Sequence, residues 1–214
     1  MPKRENISMS VIRRLPRYYR FLSELKDSGV VRISSRELSQ KMGLTASQIR
    51  QDLNCFGGFG QQGYGYIVEQ LQLEIGNILG LSSSYRSILI GAGNLGRAVA
   101  THMSFEARGF TLCAIFDKNP ALIGENIRGI TIQSITELEH FCKDCKIDMA
   151  VLCVPQDSVA ELADRIYSLG IKNYWNFSHF DLASKFPDVV VENVHLSDSL
   201  MTLCYRITNS QSSI

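Results

Sequence analysis

The sequence predicts an α/β chain of two modules. A helical front carries one glycine-rich insert, a back half forms a parallel sheet, and a separate C-terminal helix follows. Three observations carry this reading. Residues 1–60 hold 11 basic and 5 acidic side chains, a balance of +6, and the remaining 11 basic and 16 acidic leave −5. The first 80 residues show helical spacing with paired capping signals. From Tyr85 onward, apolar runs of strand length alternate with helical patterns, as in a parallel sheet covered on both faces. The 214 residues fit one large domain or two small ones. With Ser82-Ser83-Ser84 as the boundary, the modules span residues 1–80 and 85–195, with a terminal segment over 196–214.

Composition excludes several classes. At 45% hydrophobic and 20% charged, the chain can bury cores and is no disordered tail. No run approaches the roughly 20 apolar residues of a membrane span. Met1-Pro2-Lys3-Arg4-Glu5 lacks the apolar stretch of a signal peptide. Six cysteines without a secretory signal read as reduced thiols. The expectation is a cytoplasmic protein without a membrane partner, whose basic front meets nucleic acid or another polyanion.

In the front module a short helix over Met9–Leu15 gives way at Pro16 to a longer one over Pro16–Asp27, ended by Ser28-Gly29. Ser34 with Glu37 is a capping box opening Ser35–Met42, and Thr45 with Gln48 is a second, opening Ala46–Phe56. Gly43-Leu44 joins them, so the pattern is a helix-turn-helix. Ile49, Leu53 and Phe56 form the buried stripe of the second helix. Ser47, Gln48, Arg50, Gln51 and Asn54 are left outside, with Asp52 at the margin. Those outer donors suit base edges and phosphates. The glycine-rich segment Gly57–Tyr66 reads as a hairpin wing carrying Tyr64, and Val68–Leu79 as a further helix capped by Gly80.

In the back module the predicted order starts with strand Arg86–Ile90, helix Leu95–Arg108 and strand Phe110–Phe116. Strand Gly129–Gln133, helix Ile135–Lys143, strand Ile147–Val154, helix Ser158–Leu169 and strand Asn173–Phe177 follow, with one more strand over Val189–Val194. The first strand runs into Gly91-Ala92-Gly93-Asn94-Leu95-Gly96 and then a helix. That context turns a common glycine pattern into a dinucleotide fingerprint. Gly91 allows the tight turn, Gly93 lets a pyrophosphate approach, and Gly96 lets helix and strand pack, in a Rossmann-type sheet. Asp117 closes the next strand, 21 residues past Gly96, where a carboxylate accepts ribose hydroxyls and favours NAD(H) over NADP(H). Lys118 stands beside it. Val154 and Pro155 end the fourth strand and are placed to border a nicotinamide; Phe177 ends the fifth, and packs either on that ring or in the core.

Catalysis is not expected. About 130 residues remain for the cofactor module and tail, leaving no separate substrate domain. His102, His140, His179 and His195 come with no partner pattern for a general base. Cys142-x-x-Cys145 reads as two helix-end thiols, and no metal site is expected. Two competing readings remain on residues alone. One is a small NAD-dependent oxidoreductase with an accessory helical domain, the other a regulator of a CoA-type ligand. In the terminal segment Ser197 caps a helix in which Leu196, Leu200, Leu203, Cys204 and Ile207 recur at helical spacing. So apolar a helix packs on its own sheet or docks onto another chain.

The chain resembles the Rex family of bacterial redox-sensing transcriptional repressors over nearly its full length. The resemblance is carried by Ile12-Arg13-Arg14-Leu15-Pro16, Gln48-Ile49-Arg50-Gln51-Asp52, Phe56-Gly57 with Gly63-Tyr64-Gly65-Tyr66, Gly91–Gly96 and Val191-Glu192-Asn193-Val194. It implies a homodimer with winged-helix domains on a palindromic double-stranded operator and Rossmann domains that bind NADH or NAD+ as regulatory ligands. It also implies a C-terminal helix exchanged between subunits, and release of DNA when NADH is bound. By position, Arg50 and Gln51 fall on the family's recognition helix, Tyr64 on the wing, and Arg20 opposite the partner's terminal region. Some relatives carry an acid where this chain has His195, paired with the arginine matching Arg20; here Asp198 is the nearer acid. His102 stands where some relatives carry a tyrosine near the cofactor.

Overall fold

The structure, a computed structural model, describes residues 7–57, 59 and 64–211, and the chain divides after Ser82 into two compact units. The first is built from α1 (Met9–Ile12), α2 (Leu15–Asp27), β1 (Arg32–Ile33), α3 (Ser35–Met42), α4 (Ala46–Asn54), β2 (Tyr66–Ile67) and α5 (Val68–Ile78). The predicted opening helix ends early, because the chain turns through Arg13 and Arg14 and restarts with Pro16 in the first turn of α2. Leu15, Tyr18, Leu22 and Leu25 then face Ile49, Leu53, Leu71 and Ile75 in one core.

The first capping box is complete. Ser34 Oγ accepts from the Glu37 amide and the Ser34 amide donates to Glu37 Oε2. The second is only half formed. Thr45 Oγ1 accepts from the Gln48 amide at 3.1 Å, but the Gln48 side chain donates to Asp52 Oδ1 at 2.7 Å instead of turning back to the cap. Helix α4 stops at Asn54, two residues before the predicted end at Phe56. Strand β1 was not predicted; it pairs antiparallel with β2, Ile33 opposite Tyr66. Val30-Val31-Arg32-Ile33 is the β-branched run that marks it. Gly65, at φ +70°, fits against it so closely that a Cβ would lie 2.6 Å from the Ile33 carbonyl oxygen. The predicted wing falls partly on residues 58 and 60–63, outside the described residues.

Asp52 departs most from expectation. It is not at the margin of an exposed face but fully buried. Arg14 Nε and Nη2 donate to its two oxygens at 2.7 Å each, and Tyr18 Oη donates at 2.9 Å. Burial opposes its ionisation, yet the hydrogen bonds from Arg14, Gln48 and Tyr18 outweigh that and hold the carboxyl below its usual range. The stabilisation is therefore present above the ordinary carboxylate pKa and is lost as pH falls through the depressed value. Replacing Asp52 by Ala leaves the buried Tyr18 phenol and one edge of the part-exposed Arg14 guanidinium without their acceptor, a loss of about 1–3 kcal/mol. In Asp52→Ala amide hydrogen exchange should quicken in α2 and α4, which the buried carboxylate ties together. Unchanged exchange in both helices would refute the role given to Asp52.

The second unit holds β3 (Tyr85–Ile90), α6 (Asn94–His102), β4 (Phe110–Asp117), β5 (Asn126–Ile127), β6 (Ile130–Ser134), α7 (Leu138–Asp144), β7 (Met149–Leu152), α8 (Val159–Ser168), β8 (Asn173–Asn176), α9 (Leu182–Lys185), β9 (Val190–Asn193) and α10 (Leu196–Gln211). The sheet order is β5-β6-β4-β3-β7-β8-β9, parallel except at the β5–β6 edge. Strand order reverses between β3 and β7, so the sheet has a switch point there. One face packs Ile88, Ile90, Phe116 and Leu152 under α7 and α8. The other packs Leu89, Ile115 and Val151 under Val99 and Ala100 of α6.

The helix predicted over Leu95–Arg108 is broken. Met103 takes an extended conformation and Phe105 turns into the core against Trp175. A short 3-10 turn at Glu106–Arg108 and the left-handed Gly109 then restart the chain toward β4. The edge strand β5 and the helix α9 were not predicted. Helix α10 begins at Leu196, so Ser197 lies inside it and is not its cap. Leu196, Leu200, Met201, Leu203, Tyr205 and Ile207 are exposed along it.

Candidate nucleotide groove and nucleic-acid interface

The glycine loop follows from how closely its strands and helix approach. Gly91, at φ +96°, donates to the Phe116 carbonyl at 2.9 Å, and a Cβ there would meet the Cys153 carbonyl oxygen at 2.5 Å. A Cβ on Gly96 would lie 1.8 Å from the Gly91 carbonyl oxygen. Only glycine fits either position. Gly93 differs: it has an ordinary negative φ, and a Cβ would meet nothing within 4 Å. That open space lies at the N-terminus of α6, which no side chain caps. Free amides and the positive dipole end suit a phosphate there. Asn94 and Leu95, in the first turn, are exposed, and Ala92 is fully buried.

A groove of about 480 Å³ opens at this carboxyl edge, bordered by Gly91, Gly93, Asp117, Lys118, Val154 and Pro155. Asp117 is nearly buried, and its Oδ2 accepts from the Ala92 amide at 2.5 Å and its Oδ1 from the Asn119 amide at 2.7 Å. The carboxylate is thus oriented by the backbone of the glycine loop, and each oxygen keeps a lone pair for a ribose hydroxyl. Lys118 Nζ donates to Ser158 Oγ at 3.1 Å. Ser158 and Arg165 also line the groove, and the sequence reading missed both. They lie on the segment after β7, where only the strand order reveals that it closes the groove. Cys153 borders it too, and burial pushes its thiol up to about 12. These residues fit a dinucleotide: open backbone for the pyrophosphate, a fixed acceptor for the ribose, apolar Val154 and Pro155 beyond.

Phe177 is not among the residues that line this groove. Its ring packs on Trp175, with centroids 4.8 Å apart. His102 is exposed at the end of α6. His195 stacks on His179 at 4.9 Å, with Nδ1 3.7 Å from Asp198. Cys142 and Cys145 are free, and among the described residues no cluster of metal-ligating side chains occurs. No helix among them is long and apolar enough to cross a membrane.

In the first unit Ser47, Arg50, Gln51 and Asn54 are exposed and, with Cys55, line a shallow concavity on α4. Arg50 Nη1 donates to Ser35 Oγ at 3.1 Å. Gln48, predicted with them, has its amide nitrogen committed to Asp52. Tyr64 is exposed, and its carbonyl accepts from Arg32 at 3.4 Å. Arg20 is exposed, without a hydrogen-bond or ion-pair partner among the described residues.

A helix-turn-helix with an open polar face, in one chain with a dinucleotide groove, defines the class of ligand-responsive transcription factors. The comparisons agree. Residues 6–54 match the family described as putative DNA-binding protein N-terminus, and residues 82–180 the CoA binding domain. The redox-sensing transcriptional repressor Rex of Thermoanaerobacter pseudethanolicus is 57% identical over 99% of this chain and 94% of its own. That of Clostridium botulinum (strain Eklund 17B / Type B) is 54% identical over 97% and 98%. The crystal structure of RSP in complex with beta-NAD+ and operator DNA matches at TM-score 0.88 and 56% identity, covering 96% of this chain and 94% of that one. RSP in complex with beta-NADH matches at 0.87 and 53%, covering 96% of each. The chain belongs to the Rex family of redox-sensing transcriptional repressors. The members it matches are described as repressors, and the oxidoreductase alternative is not favoured.

The glycine geometry yields a paired test. Gly96→Ala should fail to reach the native melting temperature, because its Cβ has nowhere to go. Gly93→Ala should melt like the parent without nucleotide, yet bind NADH about tenfold or more weakly by calorimetry. Parental affinity in Gly93→Ala would remove the pyrophosphate from this loop.

Proposed function

We propose that this chain is a cytoplasmic homodimer that represses transcription from a palindromic operator and reads the NADH/NAD+ ratio. NADH in the groove of the Rossmann unit releases the DNA, and NAD+ leaves the repressor bound. The observation that carries this reading is the uncapped α6 N-terminus facing open space at Gly93, beside the backbone-anchored Asp117. Residues 1–80 bind DNA through Ser47, Arg50, Gln51 and Asn54 on α4 and through Tyr64. Gln48 contributes mainly by holding Asp52. Residues 85–195 bind the nucleotide through Gly91–Gly96, Asp117, Lys118, Val154 and Pro155, with Phe177 near the nicotinamide end. Residues 196–214 supply the dimer contact. The exposed leucine stripe of α10 supports an exchanged helix, since isolated monomers rarely leave so continuous an apolar face in water. Arg20, His102, His195 and Asp198 are the polar groups assigned to that contact and to the switch.

The two nucleotides differ by one hydride and one positive charge, so the switch reads the nicotinamide ring. A coupling of about 1–3 kcal/mol, or 5–150-fold, is ordinary for such a device. Gel shifts of a palindromic operator should therefore show weaker binding with NADH than with NAD+, by a factor in that range. Equal affinity with both would overturn the sensing. Coenzyme A in the same assay and in thermal melts tests the CoA reading, which a larger shift than with NADH would favour.

Gln51 is exposed and free to reach a base edge, and Gln pairs bidentately with adenine where Lys favours guanine. Selection of preferred duplexes should return A·T opposite Gln51, and Gln51→Lys should move that position toward G·C. An unchanged preference in the variant would take Gln51 out of base readout.

A further inference from the structure

We infer that Arg14 is a second DNA-phosphate contact, held in place by Asp52 on the margin of α4 opposite Arg50. The inference rests on the proposed DNA binding by α4. An Arg guanidinium carries five N–H donors in one plane. Arg14 spends two of them, on Nε and Nη2, in the paired bonds to Asp52. The other three, one on Nη2 and both on Nη1, point away from the carboxylate and find no acceptor among the described residues. The Asp52 side chain is fully buried, whereas that of Arg14 remains 28% exposed, so the free edge reaches solvent.

The placement of that edge follows from helix geometry. Successive residues on α4 are about 100° apart around the axis. Taking Gln51 as the centre of the outer face, Arg50 lies about 100° to one side and Asp52 about 100° to the other. Arg14 reaches α4 at Asp52 and so stands on the margin opposite Arg50. The readout stripe of Ser47, Gln51 and Asn54 runs between two arginines. A helix lying in the major groove, roughly 12 Å wide, has a sugar–phosphate wall on each side. Two guanidinium groups on opposite margins suit those two walls. Both are oriented in advance: Arg50 by Ser35 Oγ at 3.1 Å, and Arg14 by the paired bonds to Asp52. Tyr18 and Gln48 fix Asp52 in turn. The Asp52 charge lies buried behind Arg14 and leaves its outward donors free for phosphate oxygens.

Arg14 thus has a contact role separable from its role as a brace for α4. Phosphate contacts are read from salt dependence, because each one lost makes the slope of log K against log salt shallower by about 0.9. The experiment uses the full chain and a random-sequence DNA duplex between about 50 and 200 mM salt, where phosphate contacts dominate. Arg14→Gln is the direct variant. Arg14→Met/Tyr18→Phe/Asp52→Leu is the second, replacing the polar cluster by apolar groups of similar size, a change that often leaves stability intact. It removes one charge of each sign, so a slope change there cannot come from net charge. The expected result is a slope shallower by about 0.9 per bound chain in both variants, as in Arg50→Ala. A fall in affinity with the parental slope would make Arg14 a brace alone and overturn the proposal, as would unchanged affinity. Failure of the parent chain to bind any duplex would instead overturn the DNA-binding reading itself.

Discussion

The helical unit depends on one buried carboxylate. Asp52 accepts from the turn after α1, from α2 and from its own helix, and it fixes α4 in both position and rotation. An apolar core alone is tolerant of a helix that slides or turns by a fraction of a residue. A carboxylate with four directed bonds is not. Ile49 and Leu53 make α4 stick, and Asp52 determines which residues it shows to solvent. On the proposed reading, a recognition surface made of a few polar side chains on one helix face needs that second kind of constraint. The cost is that breaking the cluster leaves uncompensated polar groups in the core.

The sheet unit applies the same chemistry at its ligand edge. Asp117 is bonded to the amides of Ala92 and Asn119, so the loop and the proposed acceptor for a ribose are one assembly. The close approach of Gly96 to Gly91 sets the height at which α6 begins, and with it the position of the free amides. Moving any of these shifts all of them. A sensor that distinguishes ligands differing by one hydride gains from such rigidity, because the nucleotide then arrives in one orientation.

The periodic features were legible in the sequence. The strand–glycine–helix unit, the capping box at Ser34 and the alternation of strands and helices follow from local chemistry, and the structure contains each of them, although α6 stops at His102, well short of Arg108. Features that depend on a distant partner were not legible. Asp52 reads as surface because its helical position is beside exposed residues; only Arg14 and Tyr18, more than 30 positions away, make burial affordable. Gln48 reads as half of a capping box until Asp52 competes for its amide. The break at Met103 has no glycine or proline to announce it, and comes from Phe105 being drawn toward Trp175. Strand β1 was missed because two residues carry no period, and Ser158 and Arg165 because the groove is closed by strand order.

The uncapped start of α6 bears on how long the molecule lasts. A helix end whose amides are completed by a ligand is weakest when that ligand is absent. Occupancy at a hundred times the dissociation constant adds about 2.7 kcal/mol to the folded state. On the proposed reading, either nucleotide supplies this, whatever its oxidation state. Proteolysis would then draw mainly on chains that hold neither, so turnover would follow the size of the nucleotide pool while signalling followed its oxidation.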